Sequence, residues 1–279
     1  MTSQRNQEFS KKFGIIGTGV MGKSLIQGIL HAQLATAKEI WATAKTEATC
    51  QKVTQTLGVE AFTDYKKILP NTQWLLLCVK PHQVLGILAH LVKQGLSENT
   101  GIISVATGVS LTAMTEALGQ NNPVIRAMPN TPCVVGKGMT VICGGESVKS
   151  ADLATARSIF TSVGHCIELE ESHFNAVTAL GGSGPAYFYL IMEALADGGV
   201  RVGLPRDVAL EIVCQTVLGA ATMVQQTGRH PAALRDDVTT PAGCTIAALL
   251  TMEDGKIRSV LARAVEEATR IAGQLGEKK

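Results

Sequence analysis

The chain has 279 residues, enough for one large domain or two ordinary ones, and is 46% hydrophobic but only 4% aromatic, so its core must rest on aliphatic side chains. Its 25 basic and 23 acidic residues leave a net charge of +2 with no basic block, which argues against nucleic acid as a partner. The first dozen residues are polar, with no apolar signal core, and runs such as 74–79 are far too short to cross a bilayer, so neither a leader nor a membrane is expected.

The first apolar run, 13–16, reads as a strand. Gly17-Thr18-Gly19-Val20-Met21-Gly22 follows it, and a segment of helical periodicity, 20–30, follows that. Strand, glycine turn and helix in that order form the context of a dinucleotide fingerprint. The first glycine permits a tight turn, the second lets backbone approach a pyrophosphate, and the third lets the helix pack closely. The pyrophosphate would rest on unpaired N–H groups at the helix N-terminus.

Further strands are expected at 39–43, 59–62, 74–79, 101–106 and 124–128, with helices at 46–57, 82–92 and 111–118 between them. Alternation of this kind implies βαβ units and a mostly parallel sheet. Two more strands, 139–143 and 165–169, flank a helix at 149–162 and would extend the sheet at one edge. Near Glu170 the pattern changes to helices only: 174–180, then the cluster Gly181-Gly182-Ser183-Gly184, then 185–200 and 206–226. The last two are apolar almost all round, and a helical domain of about a hundred residues has too little interior to bury both. Burial against a second copy of the chain is the economical solution; a compact monomeric bundle is the alternative.

The ends of the strands carry the candidate cofactor contacts. After the second strand come Thr43, Ala44 and Lys45, where NAD-specific sites usually have an acid. The first acid is Glu47, which also suits a first helical turn. Lys45 could meet a 2′-phosphate, which favours NADPH, or be a solvated lysine. Cys78-Val79-Lys80-Pro81 and Val105-Ala106-Thr107-Gly108 close the next two strands, and Asn130-Thr131-Pro132 reads as a structural turn. Toward the end, Thr239-Thr240-Pro241-Ala242-Gly243-Cys244-Thr245 leads into an apolar helix. Its backbone N–H groups could hold a carboxylate, with Thr245 either a ligand contact or a plain N-cap. Cys50, Cys78, Cys133, Cys143, Cys166, Cys214 and Cys244 form no CxxC pair, which reads as reduced thiols in a cytoplasmic protein. No metal-ligand spacing is present, so no metal is expected.

At these residues the chain resembles the pyrroline-5-carboxylate reductase family. The resemblance rests on the glycine motif at 17–22, Val79-Lys80-Pro81, Arg126-Ala127-Met128-Pro129-Asn130-Thr131-Pro132, Gly182-Ser183-Gly184-Pro185-Ala186-Tyr187 and Thr240-Pro241-Ala242-Gly243-Cys244-Thr245, in family order along nearly the whole chain. It implies an α/β fold: a Rossmann domain, 1–169, followed by an all-helical dimerisation and substrate domain, 170–279. It also implies homodimers, often assembled into larger rings, and reduction of 1-pyrroline-5-carboxylate to L-proline by NADPH or NADH. Carried over by position, Thr245 stands beside the substrate nitrogen and the amides around Gly243, Cys244 and Thr245 take the carboxylate, with Glu171 and Thr240 completing the substrate set. The implied cofactor set is Ile16, Gly17, Thr18, Gly19, Val20, Met21, Gly22, Ala44, Lys45, Cys78, Val79, Lys80, Pro81, Val105, Ala106, Thr107 and Asp237. The chain departs from the family pattern where Ala242 replaces a glycine, Gly181 a serine, and Tyr65 stands near a usual asparagine. Two rivals remain: an NADP-binding redox sensor without turnover, and a β-hydroxyacid dehydrogenase relative. The second needs a lysine near the interdomain helix, and none lies between Lys149 and Lys256.

Overall fold

The computed structural model describes residues 11–64 and 69–277, so Tyr65 lies outside the described residues. They form two compact units. One runs to Gly182 and includes the end of the last helix from Ala268; the other is Ser183–Glu267.

The first unit is an eight-stranded sheet. Its strands are β1 (Lys11–Ile16), β2 (Ile40–Thr43), β3 (Glu60–Phe62), β4 (Thr72–Leu77), β5 (Gly101–Ser104), β6 (Val124–Met128), β7 (Gly138–Gly144) and β8 (Gly164–Glu168). They lie in the order β3-β2-β1-β4-β5-β6-β7-β8. Helices α1 (Val20–His31), α2 (Glu47–Leu57), α3 (Pro81–Lys93), α4 (Leu111–Leu118) and α5 (Ser150–Thr161) connect the strands. All neighbours pair parallel except β6 and β7. A parallel crossover needs about a dozen residues. The link from β6 to β7 holds only a 3-10 turn, Thr131–Val135, so the chain doubles back.

The central strands are buried on both faces, which is why they read as continuous apolar runs. In β4, Trp74 and Leu76 join the core beneath α1 and α5, while Leu75 and Leu77 join the core beneath α3 and α4. That split is the two-residue period of a strand. The strands stop earlier than the apolar runs suggest. After Leu77, Cys78 N–H still donates to Ile16 at 2.8 Å, but Pro81 has begun α3. After Ser104, the Ala106 N–H turns back to the Ser104 hydroxyl.

The run 174–180 is not one helix. It divides into α6 (Phe174–Val177) and a π turn, Thr178–Gly182. The Thr178 hydroxyl donates to the Phe174 carbonyl at 2.8 Å. At Gly182 a Cβ would lie 2.5 Å from Met128 Cε, so a side chain there would have to push aside the end of the Met128 side chain.

The second unit holds α7 (Gly184–Arg201), α8 (Arg206–Thr227), α9 (Pro231–Asp237), α10 (Cys244–Asp254) and the first part of α11 (Ile257–Glu277). Helices α7 and α8 meet where Gly199 faces Ala209. Ala196 and Ala209 are the buried apolar side chains of this unit. Phe188, Tyr189, Leu190 and Leu218 are each more than half exposed. Helix α8, at 22 residues, is long and apolar enough to cross a membrane by length and composition. Asp207, Glu211, Gln215, Thr216 and Gly219 interrupt its apolar residues, so no unbroken apolar run marks it in the sequence.

Candidate functional site

In the first unit the glycine turn lies between the ends of β1 and β4. Gly17 has φ +100°, where L side chains are strained, and a Cβ there would lie 2.5 Å from the Cys78 carbonyl oxygen. At Gly22 a Cβ would lie 2.1 Å from the Gly17 oxygen, so the helix packs on the turn itself. Gly19 is the reverse case: nothing lies within 4 Å of its Cβ position. It is the N-cap of α1 and supplies no side chain to the first-turn N–H groups. Those donors, the helix dipole and the open space above Gly19 fit an anionic pyrophosphate. Thr43 braces the turn, accepting from Gly17 N–H at 3.3 Å through its hydroxyl and from the Thr18 hydroxyl through its carbonyl. Ile16 is buried at the end of β1, and Val20 and Met21 open the helix.

The second strand ends as the sequence implies. Ala44 N–H pairs with Phe62, and Lys45 is exposed, with no ion pair among the described residues. Glu47 is the first residue of α2, where its carboxylate accepts the Thr63 hydroxyl at 2.8 Å. It is therefore bound to a neighbour and aligned with the helix dipole. Lys80 is the exposed N-cap before Pro81, and its N–H meets the Gln83 side chain at 3.3 Å. Beyond β5, Val105 N–H reaches Leu77, the Thr107 hydroxyl lies 3.7 Å from Met128 Sδ, and Gly108 turns the chain at φ +76°.

Glu171 does not present a free carboxylate. Its Oε1 accepts from Arg126 Nη1 and from Leu111 N–H, both at 2.8 Å. Arg126 lies in β6 with its guanidinium 4.7 Å from the Phe174 ring centre. A cavity of about 780 Å³ opens beside this pair, with Pro81, Gly108, Ser110 and Asn175 also on its wall. The sequence motif that contains Arg126 assigns it no role. The signal was there: a lone charge inside a buried strand needs a partner. Asn130 is structural, as the turn implies, accepting from Met139 N–H and donating to the Gly181 carbonyl.

In the second unit, Thr240, Pro241, Ala242 and Gly243 form a tight turn closed by Gly243 N–H to the Thr240 carbonyl at 3.1 Å. Proline followed by a residue with positive φ is the pattern of a type II turn. Here the second place holds Ala242 at φ +54°. A Cβ on Gly243 would lie 2.4 Å from Thr240 Oγ1. Gly243 is the N-cap of α10, so Thr245 is the second helical residue and not the cap. Its half-buried hydroxyl makes no hydrogen bond among the described residues. The Cys244, Thr245 and Ile246 N–H groups belong to the first helical turn, which lacks internal acceptors. Asp237 ends α9 in an exposed ion pair with Arg229 at 2.6 Å, and that hydrogen bond holds its carboxyl below the usual range.

All seven cysteines are free thiols. Burial pushes Cys143 up to about 12 and Cys166 up to about 11, so both stay protonated at neutral pH, while Cys214 and Cys244 are exposed.

A family model described as pyrroline-5-carboxylate reductase dimerisation matches residues 171–275, and one described as NADP oxidoreductase, coenzyme F420-dependent, matches residues 12–108. The chain is 40% identical to a pyrroline-5-carboxylate reductase of Arabidopsis thaliana over 96% of each chain. It is 38% identical to one of Methanosarcina acetivorans over 96% of this chain and 99% of that one. Among solved structures it resembles the pyrroline-5-carboxylate reductase of Coxiella burnetii, with a TM-score of 0.89, 31% identity and coverage of 96% and 100%. It also resembles the NADP-bound pyrroline carboxylate reductase of Plasmodium falciparum, with a TM-score of 0.84, 28% identity and coverage of 95% and 98%.

Proposed function

We propose, for a chain that belongs to the pyrroline-5-carboxylate reductase family, reduction of 1-pyrroline-5-carboxylate to L-proline with NAD(P)H. Full-length relatedness to several reductases of that name carries this reading. The strand–glycine–helix turn around an open Gly19 supports the cofactor half of it.

When bound, NAD(P)H supplies the hydride. The chain has to hold the pyrophosphate on the α1 N-terminus and fix the substrate ring. The free first-turn N–H groups of Cys244 and Thr245 take the substrate carboxylate beside Gly243, whose own N–H closes the Thr240 turn that presents them. The Thr245 hydroxyl bonds the ring nitrogen and orients the imine carbon. A protonated imine is already electrophilic, so no strong acid or nucleophile is needed. Fixing two reactants in register is worth about 7–11 kcal/mol at best. Val79, Lys80, Pro81, Val105, Ala106, Thr107 and Asp237 are assigned to the cofactor side with the glycine turn.

NADPH is the favoured donor, because Lys45 follows the second strand and Glu47, the first acid after it, is bound to Thr63. Lys45→Glu should weaken NADPH more than NADH by repelling the 2′-phosphate. Equal loss for both would remove the argument. The functional division falls at 169/170, with a dimerisation and substrate domain from 170 onward. The exposed apolar faces of α7 and α8 are covered by a second copy, as a homodimer or larger ring. The protein works in the cytoplasm, away from membrane and nucleic acid. NADPH absorbance recorded with and without pyrroline-5-carboxylate tests the whole reading. Consumption that depends on the substrate and yields proline supports it. Binding of NADPH without consumption would leave the redox sensor.

A further inference from the structure

Arg126 is the charged residue of the buried strand β6, and only 7% of it is exposed. It is held between the Phe174 ring and Glu171 Oε1. The same Oε1 accepts the N–H of Leu111, the first residue of α4, from sixty residues along the chain. Without it that N–H would be one of the orphan donors of a helix start. The Ser110 hydroxyl takes the Ala113 N–H at 3.2 Å, so two side chains cap this helix.

The segment before α4, residues 105–110, closes β5 on the side where a doubly wound sheet binds its ligand. Its first residues are tied by Val105 N–H to Leu77 and Ala106 N–H to Ser104. Its last residue is followed by the Leu111 N–H that Glu171 holds. Both ends of the segment are therefore anchored, and the far anchor depends on Arg126. Among the described residues Arg126 is the ion-pair partner of Glu171. Without it, the partly exposed carboxylate is free to turn to water, which leaves Leu111 uncapped.

We infer that Arg126 is a positioning residue for the cofactor-facing segment 105–110, acting through Glu171 on the first turn of α4. This rests on reading the chain as an NAD(P)H-dependent reductase. It gives Glu171 a different role from the substrate contact implied by family position.

The test uses full-length Arg126→Met, Arg126→Lys and Glu171→Gln. Three quantities are measured: amide exchange at Leu111 without cofactor, NADPH affinity by titration, and steady-state kinetics. Arg126→Met should speed Leu111 exchange about tenfold or more, the scale of a lost hydrogen bond to a charged group. NADPH affinity and kcat should fall together by about tenfold, with the KM for pyrroline-5-carboxylate within about twofold. Arg126→Lys should recover part of each loss, and Glu171→Gln, whose amide oxygen still accepts from Leu111 N–H but carries no charge to pair with Arg126, should show smaller losses in the same direction. The double variant should be no worse than the worse single one, because the two residues act as a unit. Unchanged Leu111 exchange and NADPH affinity in folded Arg126→Met would overturn the inference, as would a rise in substrate KM alone in Glu171→Gln. Should Arg126→Met fail to fold, the other two variants decide by the same criteria. Wild-type protein that consumes no NADPH with pyrroline-5-carboxylate would defeat the functional reading instead, while Leu111 exchange would still report on the anchor.

Discussion

The two compact units solve the same problem in opposite ways. In the first, each face of the sheet is covered by its own helices, and residues such as Leu25, Ile103 and Phe160 are fully buried within the chain. Each such side chain contributes about 1.5–3 kcal/mol by leaving water. In the second, α7, α8 and α10 are rich in apolar residues, yet among the described residues the only apolar side chains buried on them are those of Ala196 and Ala209. A soluble helix rarely shows water such a surface unless another surface completes it. The first unit thus carries its stability in its own sequence, whereas the second needs a partner, and the family description of this region as a dimerisation domain agrees.

The contrast breaks most sharply with one charge placed in each unit. Leu218 on α8 is 58% exposed and Val135, after β6, is 71% exposed. Leu218→Arg should abolish association and activity, because an unpaired charge in a buried interface costs about 3–5 kcal/mol or more. Val135→Arg should leave both intact. Sedimentation and activity assays on the two variants would show it, and equal effects would dissolve the distinction.

The next largest effect separates cofactor binding from folding. Gly19 has open space where Gly17 and Gly22 have none. Gly19→Val should therefore fold normally by thermal melting yet lose NADPH affinity by roughly a hundredfold, about 2.7 kcal/mol. Wild-type affinity would show that the pyrophosphate lies elsewhere.

Thr245 sharpens the comparison from the other unit. Thr245→Ala should lower kcat/KM about ten- to a hundredfold, or about 1.5–3 kcal/mol, with little change in NADPH affinity. Thr245→Ser should retain most activity. Because Gly243 is the N-cap, loss of a cap cannot account for such a drop. Near wild-type turnover in folded Thr245→Ala would remove the residue from the chemistry.

The smallest effect concerns the turn before it. Ala242 holds a positive φ that glycine occupies without penalty, at a cost of about 1–2 kcal/mol. Ala242→Gly relieves that strain but gives back about 0.4–1 kcal/mol of chain entropy. The net gain should fall between about zero and about 1.6 kcal/mol, readable by thermal denaturation; a clear loss of stability would contradict the strain.

How much was legible in the sequence follows the same division. The βαβ units could be read because their signals are local: a continuous apolar run in β4, a glycine turn after β1, a proline opening α3. Leu111–Leu118 coincides with the expected helix because Ser110 and Gly119 mark its ends. Helices α9 and α11 were not placed individually, since charged residues interrupt their apolar pattern. The π turn at 178–182 brings Gly182 against Met128, a contact no local pattern encodes. The Arg126–Glu171–Leu111 anchor joins residues 45 and 60 positions apart, so only the folded chain brings it together. Ala242 could be noticed as a departure from the family pattern, but its strain shows only in the backbone angle.

The dependence of the second unit on another copy is tested most directly by sedimentation and specific activity measured on the same dilution series. Dimers or larger assemblies should persist across the working range, and activity per chain should fall in step with any dissociation. A stable, fully active monomer at low concentration would contradict the account.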